Sequence, residues 1–292
     1  MRKRRSWTFQ ISVTLLGICA AVFCLPTTAQ QAPAASGARI LILPRQVVSG
    51  ERATLAVLDM NGRLTPGVTV NFSNGDRLTT DATGRALFVA PLNSGVVFGS
   101  IAGRPGRVPT AVLTSAEAGA ASIEVLSVPR VASLSDRFEV AGRGFCGEAD
   151  ANHVTVGGET ALVLASSPAS LAVLPPADLS PGPRTVEIAC AKSAAAAFSV
   201  TFAALELDAD SSPMAPGERR TLTVRVRGSS AKVGLEARNL APEIAEMNGG
   251  TIVRVSSSGG ADNSGRFELV GRKRGSFLIS IRLLASLGPP RP

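Results

Sequence analysis

The sequence predicts an all-β protein, in which three tandem β-sandwiches follow an N-terminal export signal. From Arg39 onward, short segments alternate apolar with polar residues and are separated by turn residues, which is the pattern of half-buried strands. This part of the sequence contains no helix-period pattern of ten or more residues. Similar strand openings recur at Pro44, Pro129 and Pro213, which are 85 and 84 residues apart. Because solenoid repeats run about 20–50 residues, this spacing indicates whole domains.

Composition excludes several classes of protein. The 292 residues are 45% hydrophobic, 18% charged and 4% aromatic, with a formal net charge of +8. This apolar fraction is too high for a disordered chain, and there is no collagen-like period. Four of the positive charges lie within the first five residues, so a chain without them carries +4. This modest charge, the scarcity of stacking aromatic residues and the prediction of export argue against nucleic-acid binding.

Residues 1–29 have the features of a secretory signal peptide. A basic stretch, Arg2 to Arg5, precedes an uncharged apolar run of 15 residues at Ile11–Leu25, and small residues follow. Spanning a bilayer takes roughly 20 apolar residues, so the run favours a cleaved signal over an uncleaved anchor, which stays the alternative. Residues 30–37, rich in alanine and proline, are predicted to be a tether.

The remaining cysteines predict a disulfide. Of the four cysteines, cleavage leaves Cys146 and Cys190, and an even pair in an exported chain is typical of a bridge. Two unpaired small core residues are the alternative. If formed, the bridge closes a loop of about 45 residues, worth at most roughly 4 kcal/mol in the chain-entropy model.

The first unit, residues 38–114, is predicted to contain about six short strands. The segment Arg52–Asp59 alternates, and Asn61-Gly62 and Asn74-Gly75 suit hairpin turns because both residue types tolerate positive φ. These pairs, with PGVTV at 66–70 and TTDATGRALF at 79–88, resemble bacterial Ig-like domains of adhesins and surface proteins. The resemblance implies an Ig-like sandwich.

The second unit, residues 121–204, carries a more specific pattern. The segment IEVLSVPRVASLSDRFEVAGRGF at 123–145 reads as a strand, a proline, a spacer and a strand that ends in Gly-x-Gly-Phe. Turns at Gly157-Gly158 and Pro181-Gly182 follow in order. This series resembles an IPT/TIG domain, which implies an Ig-like sandwich of the kind found in cell-surface proteins, usually without catalytic residues. The cysteine pair is not part of the family's minimal pattern.

The third unit, residues 205–287, resembles neither family closely. Its strand pattern and its opening, SSP at 211–213 before PGERRTLTV, repeat those of the other two units. On that basis it is predicted to be an Ig-like β-sandwich.

Acidic residues offer the best metal candidates. Asp208 and Asp210 stand at the junction between the second and third units, where alternating carboxylates are able to chelate calcium. Calcium takes six to eight oxygen ligands, and two carboxylates fall short of that number. The sequence therefore favours solvated turn acids at these positions, and the same interpretation applies to Glu148 and Asp150 near the first cysteine of the pair.

The most compact basic cluster is Arg272, Lys273 and Arg274, which lies between two glycines. The glycines predict a hairpin tip, and three cations at a tip are suited to contact an anionic surface such as phospholipid headgroups or acidic polysaccharide. A solvated tip is the ordinary alternative.

No catalytic residue is predicted. His153 is the only histidine, and no nucleophile-elbow sequence accompanies it, so it is interpreted as a turn or strand-edge residue. The segment GRGFCG at 142–147 matches GxGxxG after a strand, but the dinucleotide-binding interpretation requires a helix to begin there. The following residues have no helical period, and a turn is favoured.

These observations together predict a secreted, periplasmic or cell-surface protein of a bacterium, without enzymatic activity or cofactor. It would act as a structural or adhesion-type protein that presents its domains to a protein or cell-envelope partner, with no membrane span after signal cleavage. Two alternatives stay open: a carbohydrate- or calcium-binding module, and an accessory region that acts beside an enzyme on another chain.

Overall fold

The computed structural model describes residues 39–114, 122–190, 193–209, 212–255, 263–284 and 287–288. The predicted signal peptide (1–29) and tether (30–37) lie outside the described residues. Within the described ranges every regular element is a strand except a short 3-10 turn at Ala149–Ala151, which confirms the predicted all-β class. No helix in these ranges is long and apolar enough to cross a membrane.

The first sandwich packs two layers face to face, with strand orders β1-β3-β6 and β2-β8-β7-β4-β5. β3 also pairs at Thr54 with Ser166 of the second sandwich, so its layer continues into an eight-stranded sheet that spans both sandwiches. Alternate residues such as Val70 and Phe72 enter the core, where the Phe72 and Phe88 rings lie 5.2 Å apart. Its strands are β1 (Arg39–Ile42), β2 (Gln46–Val48), β3 (Arg52–Asp59), β4 (Thr69–Phe72), β5 (Arg77–Thr79), β6 (Arg85–Val89), β7 (Gly95–Ile101) and β8 (Val108–Leu113).

The two Asn-Gly turns have different outcomes. Asn74-Gly75 joins β4 to its antiparallel neighbour β5, with Gly75 at φ +95°, so the predicted hairpin is confirmed. Asn61-Gly62 also makes a tight turn, but it is closed by a single bridge between Leu58 and Leu64, and the chain then crosses to the opposite sheet. In a further turn, hydrogen bonds from Thr83 lower the pKa of Asp81.

The second sandwich has the same plan, with sheets β9-β11-β15-β14 and β10-β17-β16-β12-β13. An edge-to-face pair of Phe138 and Phe202 lies in its core, with ring centroids 5.5 Å apart. Its strands are β9 (Glu124–Pro129), β10 (Val131–Ser133), β11 (Phe138–Arg143), β12 (Asn152–Val156), β13 (Glu159–Thr160), β14 (Leu162–Ser167), β15 (Ser170–Leu174), β16 (Gly182–Cys190) and β17 (Ser193–Asp208).

The third sandwich begins on the same strand that ends the second. Residues 204–208 of β17 pair with the first strand of the third sandwich, so the chain crosses the predicted boundary at 204/205 without interruption. The sheets are β17-β18-β22-β20 and β21-β19-β23. The strands are β18 (Arg219–Arg227), β19 (Val233–Asn239), β20 (Ala245–Asn248), β21 (Ile252–Val255), β22 (Asn263–Gly271), β23 (Ile279–Leu284) and β24 (Leu287–Gly288).

Buried apolar side chains form three principal clusters, one in each sandwich, and a fourth between the first two sandwiches. Gly37–Pro292 nevertheless forms one compact unit. The domain limits 38–114, 121–204 and 205–287 themselves stay predictions.

Candidate interaction site

Strand β3 is buried on both faces of its sheet along most of its length. Leu55 and Val57 point into the core of the first sandwich. Alternation would leave the other face to solvent, yet Ala56 and Leu58 are buried as well, at 0% and 5% exposure. They pack with apolar residues of the first and second sandwiches, namely Ile42, Leu164, Ala165 and Ala172. The first two sandwiches therefore share a buried apolar interface.

A loop of the second sandwich, residues 144–151, extends this interface, and we call it the clamp loop. Thr54 Oγ1 donates to the Gly147 carbonyl oxygen at 3.0 Å and accepts from the Ala149 amide at 3.2 Å. Ser166 Oγ donates to the same Gly147 oxygen at 2.8 Å. A Cβ atom on Gly147 would lie 2.0 Å from the Arg52 carbonyl oxygen, so this close approach requires glycine.

The clamp loop is held from behind by its own sandwich. Cys146 is disulfide-bonded to Cys190, with Cα atoms 5.8 Å apart, as the sequence predicts. The buried Asn152 side chain accepts from the Cys146 amide and donates to the carbonyl oxygens of Cys146 and Glu148, all at 2.8–2.9 Å. The GRGFCG segment ends in this loop with Gly144 at φ +77°, which agrees with the predicted turn. Contacts within the second sandwich therefore hold the conformation of the clamp loop independently of its contacts with the first sandwich.

Ion pairs cross the same interface. Arg85, only 7% exposed, bonds Asp150 at 2.7 Å and the Val163 carbonyl oxygen at 2.8 Å. Arg52 pairs with Glu148 at 3.1 Å, where both side chains are exposed; such pairs contribute about 0–1 kcal/mol. Glu148 and Asp150 are exposed, as expected of solvated turn acids, and each also pairs with an arginine of the first sandwich, which the sequence did not indicate.

The net charges of the two sandwiches are complementary. Residues 39–114 contain eight basic and four acidic side chains, whereas residues 122–203 contain five basic and eight acidic ones. A net +4 body therefore faces a net −3 body, and such complementarity fixes the register of an interface more than it adds affinity.

A groove of about 350 Å³ opens where the three sandwiches meet. Each guanidinium in it has a carboxylate partner: Arg45 bonds Glu139 at 2.5 Å, Arg137 approaches Asp136 at 3.6 Å, and Arg282 bonds Glu236. The one aromatic residue of the lining, Phe138, is 4% exposed, so it offers no stacking face. The groove is suited to hydrogen bonding with polar or charged groups of a partner.

Glu236 is a buried carboxylate on the outer face of β19. Arg282 bonds one of its oxygens, and Arg238 Nε bonds the other at 3.2 Å. Burial raises the pKa of Glu236, but the hydrogen bonds and charges of the two arginines outweigh this effect and hold the pKa below its usual range. The carboxylate is therefore ionised in the folded protein and ties β19 to β23.

Replacing Glu236 with glutamine should lower the free energy of unfolding at pH 7 by about 1–2 kcal/mol, since charge-assisted hydrogen bonds to two partly exposed arginines are lost. A depressed folded-state pKa contributes stability above the unfolded value near 4.3 and loses it as pH falls through the folded value. Urea unfolding from pH 7 to pH 3 should show the difference between the proteins disappearing at the acid end. Glu243→Gln, at an exposed site, is the control; a pH-independent difference would contradict the assignment.

The basic cluster does not lie at a hairpin tip. β22 pairs with β18 and β20, whereas β23 pairs with β19, so the segment between them crosses from one sheet to the other. Arg272 Nε bonds Glu246 at 2.8 Å, and the Arg272 amide donates to the Ile244 carbonyl oxygen at 2.7 Å. Lys273 and Arg274 are exposed, and contact with an anionic surface stays a prediction for them.

The remaining candidates are not brought together. Asp208 approaches Arg225 at 3.6 Å, and Asp210 lies outside the described residues. Within the described ranges no group of three or more His, Cys, Asp or Glu side chains is placed to hold a metal ion. His153 is exposed on β12, opposite Ala189 of β16.

No family model and no curated protein matches this chain. It is similar to the Bacteroides ovatus mixed-linkage glucan utilization protein SGBP-B, solved with a mixed-linkage heptasaccharide (13% identity, TM-score 0.32, 89% of this chain and 76% of that one). It is also similar to surface layer protein SbsC domains 1–6 (16%, 0.20, 84% and 38%) and to Sidekick-1 immunoglobulin domains 1–4 (11%, 0.25, 85% and 75%). Likeness at these identities and scores says nothing about ligand or partner.

Proposed function

We propose that this protein is an exported, non-enzymatic interaction module whose sandwiches, joined at fixed angles, present a surface to a protein or cell-envelope partner. Its first unit would be a bacterial Ig-like domain and its second an IPT/TIG domain. The N-terminal segment would direct it to the periplasm, the cell surface or the exterior of a bacterium.

The interface between the first two sandwiches is the observation that carries this proposal. A buried apolar layer, the clamp loop and the ion pair of the buried Arg85 with the exposed Asp150 hold the two bodies together. Domains that move independently need only a linker between them. A binding surface that spans several domains instead requires a fixed relative orientation, because fixing the domains beforehand lowers the entropy lost when the partner binds. The Cys146–Cys190 bridge further supports export, because disulfides persist in oxidising compartments.

Cross-linking capture tests the proposal. The protein is produced with its own N-terminal segment to direct export, purified and immobilised. It should then capture one specific protein from the envelope fraction of its host, both with and without calcium. A glycan array probed in parallel should give no signal. Because partner binding is expected to depend on domain orientation, Gly147→Ala should weaken capture at least tenfold.

Gly158→Ala is the matched control for capture, because no atom lies within 4 Å of the added Cβ and the turn lies at the opposite end of β12 from the clamp loop. It should capture the partner as the wild type does. Failure to retain any protein, combined with tight glycan binding or calcium-dependent melting, would overturn the proposal in favour of a ligand-binding module.

A further inference from the structure

Among the described residues, one strand of the third sandwich has an edge with no paired neighbour. The corresponding sheets of the first and second sandwiches have five strands each, in the orders β2-β8-β7-β4-β5 and β10-β17-β16-β12-β13. In the third sandwich this sheet has three described strands, β23-β19-β21. Aligning the sheets places β23 in the position of β7 and β16.

No described strand occupies, beside β23, the place that a neighbouring strand has in the other sandwiches. β7 lies between β4 and β8, and β16 lies between β12 and β17. Among the described residues, β23 pairs only with β19. The next described residues, Leu287–Gly288, pair with β9 of the second sandwich instead of returning along β23.

The core beneath this edge is incompletely covered. Ile281 and Leu283 stand opposite the buried Ala237 and Leu235, so they face the core, yet both are only partly buried. At the corresponding position of the second sandwich, Val186 is 0% exposed with β17 beside it. An additional strand at the β23 edge would bury the same kind of surface.

The main chain of β23 also has hydrogen-bonding groups directed outward. The Leu240 amide donates to the Leu278 carbonyl oxygen, and the Ala237 amide donates toward β21, to Thr251. Because narrow and wide pairs alternate in an antiparallel ladder, Ser280 and Arg282 bond β19. The N–H and C=O groups of Ile279, Ile281 and Leu283 consequently face the open edge.

We propose that β23 is a strand-addition site, which accepts an extended segment of a partner protein in the position that β8 and β17 fill in the other sandwiches. Main-chain hydrogen bonds would supply affinity, and side chains of alternate residues would supply specificity. The inference rests on the proposed interaction role and assigns it to a site.

The sheet defines the chemistry of the incoming segment. Its inward residues must be apolar at every second position, as Phe198, Val200 and Phe202 are in β17. On the outer face of the sheet, three arginines accompany the single carboxylate of Glu236; they are Arg238, Arg254 and Arg282. This net positive face favours acidic residues on the outward side of the added strand.

Amide exchange followed by NMR on the exported protein tests the site. In the free protein, the amides of Ile281 and Leu283 should exchange at least tenfold faster than those of Ser280 and Arg282, because only the latter bond β19. A synthetic peptide that alternates glutamate with valine (EVEVEVE) should slow exchange at Ile281 and Leu283 at least tenfold. A peptide of the same composition in blocked order (EEVVVEE) should have little effect.

Residues Val186 and Ile188 of the complete second sandwich are the internal reference, and exchange there should not change. Protection of Ile281 and Leu283 without peptide, or absence of protection at millimolar EVEVEVE, would overturn the proposal. Protection that grows with protein concentration would also overturn it, by showing that a second copy covers the edge. Each of these failures is distinguishable from failure of the general role, because envelope capture and its dependence on Gly147 are measured separately.

Discussion

Replacing Gly147 with alanine is expected to detach the first sandwich from the second and to lower the free energy of unfolding by about 2–4 kcal/mol. The added Cβ would lie 2.0 Å from the Arg52 carbonyl oxygen and 2.8 Å from its carbon. Main chain cannot rotate away as a side chain would, so the clamp loop must move; overpacking of this kind costs about 1–3 kcal/mol. The partly exposed hydrogen bonds from Thr54 and Ser166 are then lost as well, at about 0.5 kcal/mol each.

Urea unfolding and small-angle scattering measure the two parts of this result. The wild type should unfold in one transition, whereas Gly147→Ala should show a separate early transition and a larger radius of gyration. Gly158→Ala is the control that distinguishes loss of the interface from local backbone strain. The φ of +87° at Gly158 disfavours alanine by about 1–2 kcal/mol, so this variant should lose stability without a change in the radius of gyration. A Gly147→Ala protein with unaltered dimensions and stability would show that the clamp loop does not join the sandwiches.

The sequence predicted the elements whose causes are local. Alternation in Arg52–Asp59 and the Asn74-Gly75 pair specified a strand and a hairpin, because side-chain parity and positive φ are properties of a few adjacent residues. The disulfide was also predictable, since the predicted signal cleavage leaves just two cysteines.

The interface could not be predicted in the same way, because parity tells which residues share a face but not what covers that face. A signal was nevertheless present in the sequence. Ala56 and Leu58 are apolar, although alternation places them on the face of β3 that points away from the core of the first sandwich. The basic cluster at 272–274 illustrates the same limit. Charged residues between glycines look alike in a hairpin tip and in a crossover, and only the pairing partners of β22 and β23 distinguish the two.

Removal of the disulfide by the double substitution Cys146→Ala and Cys190→Ala should have the largest effect of any change considered. The cysteines are 44 residues apart, and cross-linking a loop of that length stabilises by up to about 4 kcal/mol through the entropy of the unfolded chain. Alanine avoids placing an unpaired polar group at Cys190, which is 6% exposed. The bridge also anchors one end of the clamp loop, so its loss should weaken the contact between sandwiches in addition to the second sandwich itself.

The two effects of the disulfide are separable because Asn152 anchors the same loop without closing a covalent ring. Asn152→Ala should therefore increase the radius of gyration as the double cysteine variant does, while lowering the free energy of unfolding by only about 1–3 kcal/mol. Reduction of the wild type should reproduce the stability of the double variant, and intact mass should show the gain of two hydrogens. If reduction adds those hydrogens without changing stability, the bridge does not support the loop, and the orientation of the first two sandwiches must then depend on the apolar layer and ion pairs alone.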